Sequence, residues 1–303
     1  MFRVVTVPDD AAFLPEQLGT KRKFWFHNDA FVDFLFKEGR PDSGEDWSEK
    51  VASELCNLLD LPHVAYDLAI WQGRRGVVCP SFVPPSGRLV HGNELLEQWV
   101  SHYPVTQFRR VRQHTLRLVL TIIGNTQAKL PIGWVPFPSV DTAVDVFVGY
   151  LMLDAWIANQ DRHHENWGLV VSSEAMTHLA PSYDHASCLG RNETDENRMD
   201  RLTTRDTRRS MQRYVERATS AFYLLPSSKK PMSTFDAFRE AGKIRPVAAK
   251  AWIERLEHVS FRDVELIFEN IPSDRISAVA KSFALKMLEL NGQRLQALKE
   301  VVT

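Results

Sequence analysis

The chain has 303 residues, 44% hydrophobic and 25% charged, with 37 basic side chains against 38 acidic ones. Such a length buries roughly three quarters of the unfolded surface, enough for one large or two modest cores, and the composition excludes an intrinsically disordered chain. A near-zero charge balance supplies no field for a nucleic-acid backbone or an anionic membrane, so direct nucleic-acid binding and membrane association are not expected.

The opening MFRVVTVPDD has too short an apolar run for a signal peptide, and the stretch Val144 to Ile157 is broken by Asp145 and Asp154, so no segment is expected to enter a membrane. FRVVTV, KFWF and FVDFLFK read as strands. Alternation in the third places Val32, Phe34 and Phe36 on one face and Asp33, Leu35 and Lys37 on the other. Ser43 and Asp46 have capping-box spacing, and Trp47, Val51, Leu55 and Leu58 recur at helical spacing, which predicts a helix over Glu45 to Leu59. A second apolar strip, Ala52, Cys56 and Leu59, predicts that this helix packs between elements. HVAYDLAIW and GVVCPSF flank the turn-rich QGRR and read as a hairpin. Cys56, Cys79 and Cys188 are odd in number and widely spaced, which fits neither a disulfide framework nor a four-ligand zinc site and places the chain in a reducing, cytoplasmic setting.

FVPPSGR ends the β-rich region, so a boundary is expected near Pro85, with a small lobe over 1–84 and a larger, mostly helical one over 85–303. Helices are predicted over Asn93 to Trp99, Gln107 to Ile123 and Val140 to Ala158, with the Pro-rich KLPIGWVPFPS between the last two. NQDRHHENWGLV then sets charged residues between an apolar helix and a short strand, and THLAPSYDHASCLG is a second strand breaking into a loop. The charged segment from Arg191 to Arg217 reads as a long loop or short irregular helices with solvated arginines, as do Arg109, Arg110 and Arg112. Helices follow over Val247 to Val259, Arg262 to Glu269 and from Ser273 onward.

Phosphoryl transfer needs a carboxylate to orient the attacking hydroxyl. It also needs an asparagine five residues later and an aspartate from a neighbouring strand to hold magnesium against the phosphates. Asp161, Asn166 and Asp184 have that order, hard oxygen ligands suit Mg2+, and Lys37 is the small-lobe candidate for the phosphates of ATP. His164 and Glu165 do not make a zinc helix, because position 168 is glycine.

The run Asn159, Asp161, His163, Asn166, with APSYDHAS downstream and FLFKEGRP and SEKVASELCNLLDLP upstream, resembles the catalytic, metal-binding and lysine-bearing segments of HipA-like serine/threonine kinases. The resemblance implies an α+β, two-lobed protein-kinase-like fold with ATP and Mg2+ in the cleft. It also implies a protein substrate and an antitoxin-like partner, while the extra N-terminal subdomain of full-length family members is expected to be missing here. Asp161 would be the catalytic base, Asn166 and Asp184 the Mg2+ ligands, Lys37 the phosphate contact and Glu49 its partner. Register against DLP favours Glu49 over Glu54. The loop also resembles that of phosphatidylinositol kinases, which makes His163 an alternative base and a lipid or small molecule an alternative acceptor. Two departures stand out. LGTKRKFWF has one glycine, Gly19, so Lys21 and Lys23 or backbone amides would serve the phosphates, and a non-catalytic nucleotide-binding scaffold is the rival reading. The metal triplet is Asp-His-Ala instead of Asp-Phe-Gly, with His185 expected to pack beside the metal.

Overall fold

A computed structural model describes residues 1–11, 14–15, 22–27, 32–107 and 109–300. Gly19 and Lys21, assigned above to the phosphate-covering loop, lie outside the described residues. The chain opens with β1 (Val4–Thr6), β2 (Leu14–Pro15), β3 (Lys23–His27) and β4 (Asp33–Glu38), continues through α1 (Glu45–Leu58), and returns as β5 (Asp67–Trp71) and β6 (Arg74–Pro80). These strands form one six-stranded sheet in the order β1-β5-β6-β4-β3-β2, antiparallel except for β1 against β5. Gln72 and Gly73 turn the β5–β6 hairpin with positive φ at both positions (47° and 74°), the two-residue turn whose twist matches that of the strands.

The alternation in β4 sorts the sheet's faces as the sequence predicts. Phe34 and Phe36 join Phe24, Phe26 and Trp71 in an aromatic layer on one side, with the rings of Phe24 and Trp71 4.8 Å apart. Leu35 and Lys37 face the other way, toward Tyr66, Val77 and Cys79. The helix α1 is buried on both its strips and packs against the sheet and the large lobe, as its two-sided apolar pattern predicts. Its capping box does not form. The N-cap is Gly44 at φ 60°, the Ser43 hydroxyl donates to the Arg40 carbonyl, and the Asp46 carboxylate is taken by Arg275. A side chain at position 44 would collide with the Trp47 indole, so the entry to α1 needs glycine for space as well as for φ.

Residues Ser81–Gly87 lead into the large lobe, whose elements are β7 (Arg88–His91), α2 (Gly92–Trp99), α3 (Leu116–Asn125), α4 (Ala143–Ile157), β8 (Gly168–Val171), β9 (Thr177–Leu179), α5 (Asp195–Thr203), α6 (Met211–Val215), α7 (Thr234–Ile244), α8 (Pro246–Glu257), α9 (Phe261–Asn270) and α10 (Ala278–Gln296). A second, three-stranded sheet pairs β7-β8-β9 antiparallel. The axis of this lobe is α4, buried along almost its whole length and surrounded by α3, α7, α8 and α10. Thr142 and Asp145 cap its start reciprocally, and Ala158 at φ 54° ends it in a left-handed turn that releases the chain into the polar loop. Among the described residues no helix is long and apolar enough to cross a membrane.

Two differences from the sequence reading concern helix starts. The helix expected from Gln107 begins only at Leu116, because the backbone at His114 and Thr115 pairs with Tyr223 as an isolated bridge instead of coiling. The last helix begins at Ala278, capped by Ser277, and not near Ser273. The helix α7, capped by Ser233 and Asp236, and the four-residue β7 had no counterpart in the sequence reading.

The His114 ring is locked neutral. Its Nδ1 lies 3.1 Å from the Ala221 carbonyl and so carries the proton, while Nε2 accepts from the Trp167 indole at 3.1 Å. Protonation would set two N–H groups against each other. Burial pushes this imidazole down to about 3, with His164 and His163 adding to the effect against the Ala221 bond. Because the folded value lies below the unfolded one, the unfolded chain takes the proton first, and stability falls as pH drops below about 6.5 at roughly 1.4 kcal/mol per unit until it levels near the folded value. Urea melts at pH 7 and pH 5 should therefore show that His114→Gln, which keeps a donor and an acceptor, loses about 2 kcal/mol less than wild type over that range. Equal losses would remove His114 as the titrating group.

Candidate active site

Lys37 stands near the end of β4 on the inner face of the sheet and is 5% exposed. Its ammonium donates to Glu49 Oε2 of α1 at 3.2 Å and to Asp184 Oδ1 of the large lobe at 2.7 Å, and lies 5.1 Å from the centre of the Tyr66 ring. Burial alone would lower its pKa, but the carboxylates of Asp184 and Glu49 hold it well above the ordinary lysine value. Glu49 is held below the usual carboxylate range: burial would raise it, and Lys37 with the bonds from His185 outweighs that cost. Both directions describe a charged pair. Glu54, the other acid on this helix, turns away and pairs with Lys50 at 2.6 Å.

After α4 the chain must reverse, and a buried ion pair shapes the reversal. Arg162, 2% exposed, grips Asp154 with Nε and Nη2, the latter at 2.8 Å from Oδ1. Asn159 donates to the same Oδ1 at 2.8 Å and receives the Asp161 amide on its own side-chain oxygen at 3.2 Å. Asn166 donates its side-chain N–H to the Asp161 carbonyl at 2.7 Å, which leaves its amide oxygen for the cleft. The Asp161 carboxylate is about one third exposed and accepts from the Ser187 hydroxyl at 3.2 Å. The Nδ1 of His163 accepts from the Glu165 amide at 3.2 Å, so the proton sits on Nε2, 3.9 Å from Asp161 Oδ1.

Asp184 sits at φ 58°, a left-handed conformation that Asp tolerates better than most residues. Its loop is tied to both lobes. Ser182 exchanges backbone bonds with Pro62 and Val64 next to the small sheet, and Ser187 and Leu189 pair with Gln160 and Ile157 at the end of α4. Lys37, His163, Asn166 and Asp184 thus line one cleft of about 170 Å³ between the lobes, together with Lys23, the cross-strand neighbour of Lys37. Glu49 lies behind Lys37, and Asp161 is next to His163. The other end of the cleft is apolar, with Leu35, Cys79, Leu89 and the stacked rings of Phe82 and Tyr183, whose planes lie within 25°. An apolar pocket that also carries the Lys37 and Lys23 ammonium groups and the Asn166 and Asp184 oxygens could take a base together with phosphates. Among the described residues no three His, Cys, Asp or Glu side chains converge. The Asn166 amide oxygen and the Asp184 carboxylate are hard oxygen donors that line the same cleft and could hold a magnesium ion, with its remaining ligands from phosphates and water.

The same two-lobed arrangement occurs in a Helicobacter pylori proinflammatory kinase, CtkA, which is similar over 99% of this chain and 98% of its own, with a TM-score of 0.75 at 18% identity. The chain has the HipA-like kinase fold. Shewanella oneidensis HipA, solved with HipB and operator DNA as a toxin–antitoxin system, is similar over 95% of this chain and 66% of its own, with a TM-score of 0.57 at 10% identity. No family model matches the sequence, and no curated protein does. The kinase fold is thus carried by shape where sequence similarity has faded.

Several residues of this site had no signal in the sequence reading. Arg162, Asp154, Ser182 and Ser187 act through one another and through Asn159, His185 and Asp161, pairings that residue spacing does not announce. Arg191 and Arg198, expected as solvated, are buried: Arg191 pairs with Glu45 at 2.9 Å, and Arg198 donates to Asp195 and to the Gly190 and Arg191 carbonyls. Arg109, Arg110 and Arg112 are exposed, as expected. The pairing at Lys37 predicts an asymmetry between the two glutamates of α1. Glu49→Gln, which leaves a buried ammonium with one partner fewer, should cost about 3 kcal/mol or more in urea unfolding, and Glu54→Gln under 1 kcal/mol. Similar costs for the two would contradict the assignment of the partner.

Proposed function

We propose that the chain is a protein kinase that transfers the γ-phosphoryl group of Mg-ATP to a serine or threonine hydroxyl. The observation that carries this reading is the contact of Lys37 with Glu49 and Asp184 across the lobes, beside a loop that presents Asp161 and Asn166. The apolar slot takes the base, and Lys37 meets the phosphates. Asn166 and Asp184 would hold Mg2+, which supplies neutralisation of the phosphate charge. Asp161 orients the acceptor hydroxyl and receives its proton as the oxygen bonds to the γ-phosphorus and the bond to the ADP oxygen breaks. His163 is the poorer base, because its only lone pair is committed to the Glu165 amide. Asp161, about one third exposed, is open to an acceptor hydroxyl from solvent. A protein partner of the antitoxin kind belongs to the same reading, supported by the HipA neighbour solved with HipB. So does a cytoplasmic location, supported by three buried, unbridged cysteines.

Two substitutions separate binding from chemistry. Asp161→Ala should keep Mg-ATP affinity by calorimetry and lower transfer to a protein pool about 10²- to 10⁴-fold or more with labelled ATP. Asp184→Ala should weaken the Mg-ATP complex itself. Full transfer by Asp161→Ala together with its loss in His163→Ala would move the base to the histidine. Label passing only to small molecules would replace the protein acceptor, and Mg-ATP binding with no turnover would leave a nucleotide-binding scaffold.

A further inference from the structure

The residue after Asp184 is where this chain departs most from a kinase triplet, and the structure gives that histidine partners on both sides. His185 is fully buried. Its backbone amide donates to Glu49 Oε1 at 2.6 Å, and its Nδ1 lies 3.6 Å from the same oxygen, too long for a hydrogen bond but within reach of the charge. Its Nε2 is 2.6 Å from the Ser182 hydroxyl, which also receives Arg162 Nη2 at 3.0 Å. Arg162 in turn holds Asp154 and lies 3.4 Å from the Asn166 carbonyl through Nη1. The proton positions follow from the donors. Arginine can only donate, so the serine oxygen accepts from it, and its hydroxyl hydrogen is available to Nε2. The tautomer in which the hydroxyl donates puts the ring proton on Nδ1, facing the Glu49 carboxylate.

We propose that His185 is a positioning residue, which links the carboxylate that aligns Lys37 to the arginine that shapes the Asp161–Asn166 loop. The link runs from Glu49 through His185, Ser182 and Arg162 to Asp154, and each member is 5% exposed or less. Its first step is the His185 backbone amide on Glu49 together with a 3.6 Å charge contact of the ring, and its later steps are side-chain hydrogen bonds. Away from water these have no competing partners, so moving one member leaves its neighbours unsatisfied. A displaced α1 therefore carries the catalytic loop with it. A phenylalanine at this place would keep the backbone bond to Glu49, but it would offer Ser182 no acceptor and remove the imidazole that faces the Glu49 carboxylate. The functional half of the proposal rests on the kinase reading; the mechanical half does not.

The test is a double-mutant cycle with His185→Phe and Ser182→Ala, the second removing a single oxygen. Each should lower kcat about tenfold with little change in the KM for ATP, and the double variant should be no worse than either alone. His185→Gln, which can still bond Ser182, should recover most of the loss. Separately, amide exchange without nucleotide should speed up at Asp161 and Asn166 in both His185→Phe and Ser182→Ala, while the amides of α4 stay protected. Losses that multiply to about hundredfold in the double variant, a glutamine no better than phenylalanine, or unchanged exchange at Asp161 and Asn166 would each overturn the link. If wild type transfers no phosphate at all, the kinase reading fails while the exchange measurement still decides the link.

Discussion

The first turns of α1 bury three carboxylates, Glu45, Asp46 and Glu49, at 3%, 7% and 0% exposure, and much of the molecule is arranged to satisfy them. A helix N-terminus favours acids in its first turn by less than about 1 kcal/mol, far short of what desolvating a charge costs. The remainder has to come from cations, and each comes from a different place. Lys37 of β4 serves Glu49, Arg275 just before α10 serves Asp46, and Arg191 beyond the Asp184 loop serves Glu45. One helix is thereby fixed by both lobes at once. Arg275 extends the tie by donating to the Ala69 carbonyl of the small sheet. Any movement of the lobes that separates α1 from one of these partners strands a buried charge, so the resting geometry of the cleft is set by electrostatics as much as by apolar packing.

This arrangement explains which parts were legible in the sequence. Where a pattern is local, residue spacing suffices. The alternation of Phe34, Leu35, Phe36 and Lys37 is decided by the pleat, and the strips of α1 by a period of 3.6. The order of Asp161, Asn166 and Asp184 is likewise a short-range signature, because the loops on either side of the β8–β9 hairpin carry all three. The choice of Glu49 over Glu54 came from register, and it places the acid that contacts Lys37. What could not be read is the identity of distant partners. Nothing near Glu45 announces Arg191, and nothing near Asp46 announces Arg275. The same blindness produced the false capping box: Ser43 and Asp46 have the right spacing, but a buried arginine is a stronger partner for that carboxylate than a backbone amide.

Helix starts failed for a related reason. His114 and Thr115 lie in a stretch whose local pattern continues a helix, yet the His114 carbonyl and the Leu116 amide on either side of Thr115 bond to Tyr223, more than a hundred residues later. Tertiary pairing overrides a propensity difference of a few tenths of a kcal/mol per residue without difficulty. Conversely α7 was overlooked although Ser233 and Asp236 form a cap there, because the signal stands beside a charged, irregular stretch that reads as loop throughout.

The cleft itself returns to the question of charge. Lys37 is in contact with two carboxylates, so that buried group as a whole carries an excess of negative charge before any ligand arrives. A polyphosphate would meet the field of Asp184 along with that of Lys37, and a lone ammonium already shared between two acids is a weak anchor for it. On the proposed reading Asp184 would hold a divalent cation, whose charge would offset that of the carboxylate and leave Lys37 to face the phosphates. Lys23, opposite Lys37 across β3 and β4, would then add its charge on the same face where a glycine-rich loop is missing. A whole-chain balance near zero is therefore no guide to this site, whose sign changes with what is bound in it.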